Sequence, residues 1–502
     1  MGGAAYSPAA AADEGISVRT VTRRLSRAGL ASLPSGVRRP AAVAPRVGMV
    51  HLGIGAFHRA HQAVFTEDAS QASGSDAWGI VGVTERSARV RDQLVPQDGL
   101  YTLLERGDGA AGPRVIGAVR DVLSARDDPL AVAALIADPG VHVVTLTVTE
   151  KGYLRRPDGD LDLDDPAVAA DVGGAGPATP VGQLARGLQA RQRRGGQPVS
   201  VVSCDNLTGN GTVLSRLVHS FVAALPASEG AALLSYLETS VRFPSTMVDR
   251  IVPATTDAHR AAVRSLLGVE DAGVVVAEPF RQWVVTDDFA GPRPPWELAG
   301  AILTDDVAPW EAAKLRLLNA THSLLAYLGA LRGYVTIAEA VGDSELAAAA
   351  HDLMRDDVVP TLVPPLGLDL EAYCTQVLHR FANPALAYTT AQVAMDGSQK
   401  LLARVLGTIR DRLAAGVVPE SASLVVAAWM AYVGRAADGA SGLSLDDPLA
   451  DTLRARVAAA DGEPGRLVDE LLGVREIFGD DLREHAGLRA VLTEQVDRLS
   501  RR

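Results

Sequence analysis

The sequence predicts an α/β fold in two parts: an N-terminal domain built on a parallel-rich sheet and a mostly α-helical C-terminal domain. Three observations carry that expectation. At 502 residues the chain exceeds what one hydrophobic core usually organises. From Val47 to about residue 300, short apolar runs alternate with helical segments, the pattern of strands covered by helices on both faces. From Pro309 onward, apolar residues recur at helical spacing instead.

Residues 1–45, rich in Ala, Pro, Gly and Arg, are expected to form a partly ordered extension with a short helix around Val18 to Ala28. The first strand runs from Val47 to Leu52 and ends in Gly53-Ile-Gly55-Ala-Phe57-His58, a tight glycine turn followed by a helix over Ala60 to Ala69. Further strands are expected at Trp78 to Val83, Val141 to Val148 and Val199 to Val202, with helices at Pro129 to Ala137 and Pro180 to Arg194 between them. The turn-rich Gly291-Pro-Arg-Pro-Pro295 marks a boundary, which divides the folded chain into 46–300 and 301–502. Beyond it, helices are expected at Glu311 to Leu331, Ser344 to Met354, Ala385 to Met395, Lys400 to Ala414 and Ser421 to Ala436.

Composition narrows the function. The formal net charge is −12, and the densest basic runs, Arg23-Arg24 and Arg191 to Arg194, read as short solvated faces, so no nucleic-acid partner is expected. Two cysteines, Cys204 and Cys374, in unrelated contexts support neither a disulfide framework nor a cysteine zinc site. A reducing, cytoplasmic setting fits them. No apolar run approaches the length that spans a bilayer, so no membrane association is expected.

The glycine turn has the context of a dinucleotide site. Gly53 permits the turn, Gly55 lets backbone N–H groups approach a pyrophosphate, and the third position carries His58 where Gly or Ala is usual. After the second strand comes Glu85, which can accept from a ribose 2′-OH and favours NAD, while adjacent Arg86 could pair with the 2′-phosphate of NADP. The expected cofactor contacts are Gly53, Gly55, Phe57, His58 and Glu85. His58 and His61 could begin a zinc site but lack a third ligand, so no metal is expected.

The most informative segment is Lys314-Leu-Arg-Leu-Leu-Asn319-Ala-Thr-His322. At about 100° per residue, Lys314, Asn319 and His322 fall within an arc of roughly 140° on an otherwise apolar helix. A desolvated lysine amine can take the proton of a secondary alcohol while hydride leaves the same carbon. Asparagine amides can stabilise the alkoxide, and histidine can hold a neighbouring hydroxyl.

These stretches together resemble the polyol-specific long-chain dehydrogenases, the mannitol dehydrogenase and fructuronate reductase family. The likeness runs through His51 to Gln62, Leu146 to Tyr153, Ser203-Cys-Asp-Asn206, Phe243 to Pro253, Glu278 to Trp283, Lys314 to Leu328 and Asp396 to Lys400, and covers about residues 46 to 480. It implies an N-terminal Rossmann-type domain, a helical C-terminal domain, an active site between them and metal-independent catalysis by a monomer. It also implies that Lys314 is the general base, that Asn319 is one oxyanion-stabilising amide and that Asn210 is the second, with Asn206 the competing choice. His322 and Asp249 match substrate-positioning residues, and Lys400 matches one at the far end of the substrate. Gln392 stands where mannitol 2-dehydrogenases carry Arg, a departure toward the fructuronate reductase branch.

D-Mannonate is mannitol with one terminal carbon oxidised to a carboxylate, so the distal pocket should discriminate, with Lys400 and Arg380 as its candidate cations. The expected reaction is D-fructuronate reduction to D-mannonate with NADH. Mannitol oxidation to fructose is the alternative within the family, and a non-catalytic NAD-binding sensor or a zinc-dependent alcohol dehydrogenase lies outside it.

Overall fold

The computed structural model describes residues 23–501 apart from 42, 157, 175, 387, 438 and 440. Six strands form the central sheet: β1 (Val47–Leu52), β2 (Gly79–Thr84), β3 (Val119–Ser124), β4 (Val143–Leu146), β5 (Val199–Ser203) and β6 (Val241–Arg242). Their order is β3-β2-β1-β4-β5-β6 and every pair is parallel. The order reverses between β1 and β4, which opens a crevice at the carboxyl ends of the strands. β1, β2 and β5 are almost wholly buried, as their continuous apolar runs require. Helices Pro129–Ile136 and Pro180–Arg193 begin where Asp128 and Thr179 accept from the free N–H groups of Ala131 and Gly182, with proline in the first turn.

β3 and β6 escape the hydrophobic pattern. β3 is an edge strand of mixed exposure, and β6 is two residues long. Residues 246–304 add a second small sheet in which Thr246–Asp249 pairs antiparallel with Gln282–Thr286, which pairs parallel with Ile302–Thr304. The first of these strands carries Val248 and Asp249 to the crevice.

The second half of the chain is helical and packs around its own core, which includes Leu317, Leu324, Tyr327, Met354, Val426 and Trp429. Ala308–Ala313 continues through a π-helical turn, Lys314–Asn319, into Ala320–Leu331. The long helix Glu420–Ala437 packs against Ala320–Leu331 and the C-terminal Ala486–Ser500. No helix among the described residues is long and apolar enough to cross a membrane.

Three local expectations are corrected. Of the N-terminal extension, residues 1–22 lie outside the described part. The rest is pinned to the sheet domain, because Leu25, Leu30, Leu33 and Val37 bury against Leu100, Val115 and Val263. Of the helix expected around Val18 to Ala28, residues 18–22 lie outside the described part, residues 23–26 are not helical, and a 3₁₀ turn runs over Arg27–Ser32. The expected helix over Ala385 to Met395 shrinks to Thr390–Ala394, since Thr389 and Gln392 form a capping box that starts it late. Arg191 is not on a solvated face: it is 1% exposed and donates to the carbonyls of Ile136, Asp138, Gln197 and Pro198.

Candidate active site

The carboxyl end of β1 leads into Gly53, whose φ of +86° suits glycine alone. A Cβ there would meet the Thr147 carbonyl oxygen at 2.2 Å. Gly55 is exposed, and a Cβ on it would meet nothing nearer than 3.8 Å, so the turn leaves open space where a phosphate can approach backbone. His51 fixes this turn from below. Thr147 Oγ1 donates to the Gly53 carbonyl at 2.9 Å, so the bond between His51 Nε2 and Thr147 Oγ1 at 2.8 Å must be donated by the imidazole. Burial pushes the His51 pKa down to about 3, which keeps the ring neutral for this role.

His58, expected to touch the cofactor, does not reach the surface of the turn. It is fully buried and stacks on His51 with ring centroids 3.4 Å apart. The helix after the turn breaks at His61, whose Nε2 donates to the Gln282 carbonyl, so the two histidines are engaged separately. Phe57 is partly exposed and stacks on His61. At the end of β2, Glu85 accepts from Gln183 through Oε2 at 2.8 Å and leaves Oε1 without a partner. Burial raises its pKa to about 7. An unpartnered carboxylate oxygen, an open glycine and a reversed strand order together fit a dinucleotide. Arg86 is exposed beside Glu85.

Lys314 lies at the start of the π turn and is 8% exposed. Its Nζ donates to Asn206 Oδ1 and to the Val248 carbonyl, each at 2.7 Å. Desolvation lowers its pKa; Asp249 opposes that shift while Arg380 and Arg404 add to it. A neutral amine has two N–H groups and one lone pair. With both N–H groups taken by these oxygens, the lone pair is left for a third partner. Because Asn206 turns its Oδ1 to the lysine, its Nδ2 faces away, and Asn206 is exposed to the cleft. The Asn319 side chain makes no hydrogen bond to a described residue and is 7% exposed. The widened i→i+5 turn takes up about one more residue than an α turn, which rotates Asn319 toward the lysine face.

Asn210, expected to supply the second amide, is committed elsewhere. It is fully buried, its Nδ2 donates to the carbonyls of Asp205 and Thr246, and its Oδ1 accepts from Thr246 N. The amide beside Lys314 is Asn206. Sequence spacing could not separate the two, since both closely follow β5, Asn206 on the loop and Asn210 at the start of the next helix.

Arg380 is likewise not free to meet a substrate. Its guanidinium pairs with Asp249 at 2.7 and 2.9 Å and with Glu278 at 2.7 and 3.0 Å, and lies over the Phe280 ring at 4.0 Å. The group ties helix Leu370–Phe381 to the sheet domain. Burial alone would push the Asp249 carboxyl up, but the Arg380 charge and hydrogen bonds hold it below its usual value. Asp249 therefore acts on Lys314 by its charge, and its carboxylate is spent on Arg380.

His322 is stacked on Phe381 at 4.7 Å and packs near Tyr388; burial and the charges of Arg404 and Lys400 push its pKa down to about 3. Lys400 is half-buried, donates from Nζ to the Val393 carbonyl at 3.1 Å, and has its pKa lowered to about 8, chiefly by desolvation and then by Arg404. Gln392 is exposed and caps its own helix.

Two residues went unnoticed in the sequence. Glu311, three residues before Lys314, shares a small recess with it and accepts from Gly209 N at 3.1 Å, and burial raises its pKa to about 6. Its i−3 spacing to Lys314 was a readable signal. Arg404 follows Lys400 by one turn and donates to the Asn319 carbonyl and Ser323 Oγ at 3.3 and 3.0 Å.

Comparison with known proteins agrees with this layout. Residues 47–298 match the mannitol dehydrogenase Rossmann domain, and 306–500 match the mannitol dehydrogenase C-terminal domain. The chain is 42% identical over 457 residues to the uncharacterized oxidoreductase YdfI of Escherichia coli (strain K12), covering 90% of this chain and 92% of that one. It is 38% identical over 463 residues to the D-mannonate oxidoreductase of the same organism, covering 90% and 93%. Among solved structures it resembles Pseudomonas fluorescens mannitol 2-dehydrogenase in ternary complex with NAD and D-mannitol, with a TM-score of 0.83, 36% identity and coverage of 95% and 96%. The chain belongs to the mannitol dehydrogenase family.

Proposed function

We propose that the protein is an NAD-dependent oxidoreductase acting on a secondary alcohol or ketone of a sugar acid or hexitol, with D-fructuronate and D-mannonate as its substrate pair. The observation that carries the reaction type is the Lys314 amine, dry, deprotonation-prone and held by two acceptors so that its lone pair stays free. Gly53, Gly55, Phe57 and Glu85 would hold the dinucleotide, whose nicotinamide exchanges hydride with the reacting carbon. In alcohol oxidation, Lys314 Nζ takes the hydroxyl proton, and the Nδ2 groups of Asn206 and Asn319 donate to the developing alkoxide. Glu311, in the same recess, gives that proton an onward acceptor. In ketone reduction the same groups run in reverse, the lysine ammonium donating to the carbonyl oxygen. His322 orients a neighbouring hydroxyl from its aromatic stack.

The D-mannonate oxidoreductase relative supports the sugar-acid pair. The likeness to the Pseudomonas fluorescens enzyme favours a second reading, D-mannitol with D-fructose. Steady-state NADH oxidation with D-fructuronate and with D-fructose separates them. We expect the higher kcat/KM with fructuronate. A higher value with fructose overturns the substrate assignment, and no turnover across a panel of hexuronates, hexuloses and pentuloses overturns the reaction type in favour of a non-catalytic sensor.

A further inference from the structure

Arg404 is a cation without a counter-ion. Among the described residues no carboxylate lies within ion-pair distance of it, whereas Arg250, Arg281 and Arg380 each pair with a carboxylate. Only Nη1 is used, on Asn319 O and Ser323 Oγ. The Nε and Nη2 edge makes no hydrogen bond, yet it is not among the polar atoms sealed from solvent. That edge is the one with which a guanidinium grips a carboxylate in two parallel bonds.

Its surroundings place it in the cleft. Its two bonds are to the helix that carries His322, on either side of that residue. Its charge is felt by Lys314, His322 and Lys400, and by Glu150 across the cleft on the sheet domain. Lys400 has no carboxylate partner within ion-pair distance among the described residues either, and gives only one bond, to Val393 O. The two cations are partly desolvated and repel each other; Glu150 acts on both, and Asp396 and Asp447 on Lys400, but none is within ion-pair distance, so an anion that joins the pair directly would relieve that cost. The charges of Arg404 and Lys400 both act on His322.

We propose that Arg404 is the carboxylate-recognising residue of the pocket, its free Nε/Nη2 edge pairing with the acid group of a sugar acid while Lys400 supplies the second cation. The inference rests on the hydride-transfer reading above and deepens it, since it names the residue that separates acid from neutral substrates.

The test compares wild type, Arg404→Gln and Arg404→Lys on D-fructuronate and D-fructose, with D-mannonate binding to the NAD-loaded proteins followed by calorimetry. The ratio of kcat/KM for fructuronate to that for fructose should fall roughly 10- to 100-fold in Arg404→Gln, the worth of a charge-assisted hydrogen bond. Arg404→Lys should recover part of it, and mannonate affinity should weaken by a similar factor. An unchanged ratio, as equal losses on both ketones would give, overturns the proposal. If wild type reduces neither ketone, the hydride-transfer reading falls by itself, and calorimetry still decides on Arg404: mannonate affinity that is the same in wild type and Arg404→Gln refutes it. Wild type binding D-mannitol more tightly than D-mannonate refutes it as well.

Discussion

At the scale of single residues, the chemistry turns on which groups have spare valence. Lys314 has a lone pair, Asn206 and Asn319 have free amide donors, and Arg404 has a free edge, whereas Asn210, Asp249 and Arg380 are already satisfied. This distinction gives a direct contrast between two asparagines four positions apart. Asn206→Ala should lower kcat by roughly 10²- to 10³-fold, the effect of one lost oxyanion donor, with little change in stability. Asn210→Ala should act on folding instead, costing about 1–3 kcal/mol for each buried group it strands, read as a lower urea midpoint. The reverse pattern would return the oxyanion role to Asn210. The residue types of the site were legible in the sequence, because Lys, Asn and His on so apolar a helix call for an explanation. Their commitments were not, because whether a side chain is spent depends on partners more than thirty residues away, such as Thr246 for Asn210 and Asp249 for Arg380.

At the scale of elements, strands with continuous apolar runs were readable and strands with mixed faces were not. β1, β2, β4 and β5 are buried on both sides and announce themselves, whereas β3 mixes polar and apolar residues at the sheet edge and β6 is too short to show a period. The π turn at Lys314–Asn319 was invisible for a related reason. Its sequence is compatible with an ordinary α-helix, and the apolar spacing carries no mark of the extra residue. Elements also clamp one another behind the site. Arg380 on helix Leu370–Phe381 holds Asp249 at the end of its strand, and Arg380→Met would leave the buried carboxylates of Asp249 and Glu278 without their ion-pair partner. We expect a loss of about 3–5 kcal/mol in urea unfolding. An unchanged midpoint would show that the carboxylates find other partners or take up protons cheaply.

At the scale of the whole molecule, the two halves do different work. The parallel sheet presents the glycine turn, Glu85 and Asn206 at the carboxyl ends of its strands, and the helical half brings Lys314, Asn319, His322, Lys400 and Arg404 to face them. Neither half alone contains both a dinucleotide turn and a base. Closing them over each other dries the lysine, and drying is what lowers its pKa. The sign of the pH response follows. A lysine with a lowered pKa sheds its proton at lower pH than a free amine, so the neutral form that accepts a proton grows as pH rises. Alcohol oxidation should therefore climb and then level off below the ordinary lysine range, while ketone reduction, which needs the ammonium, should fall over the same interval. The most direct measurement is kcat for alcohol oxidation from pH 6 to 10 in wild type and in Lys314→Ala. The account predicts a rising limb in wild type and, in the variant, loss of that limb together with at least a ~100-fold lower rate. A flat wild-type profile, or a variant that keeps both the limb and the rate, would contradict it.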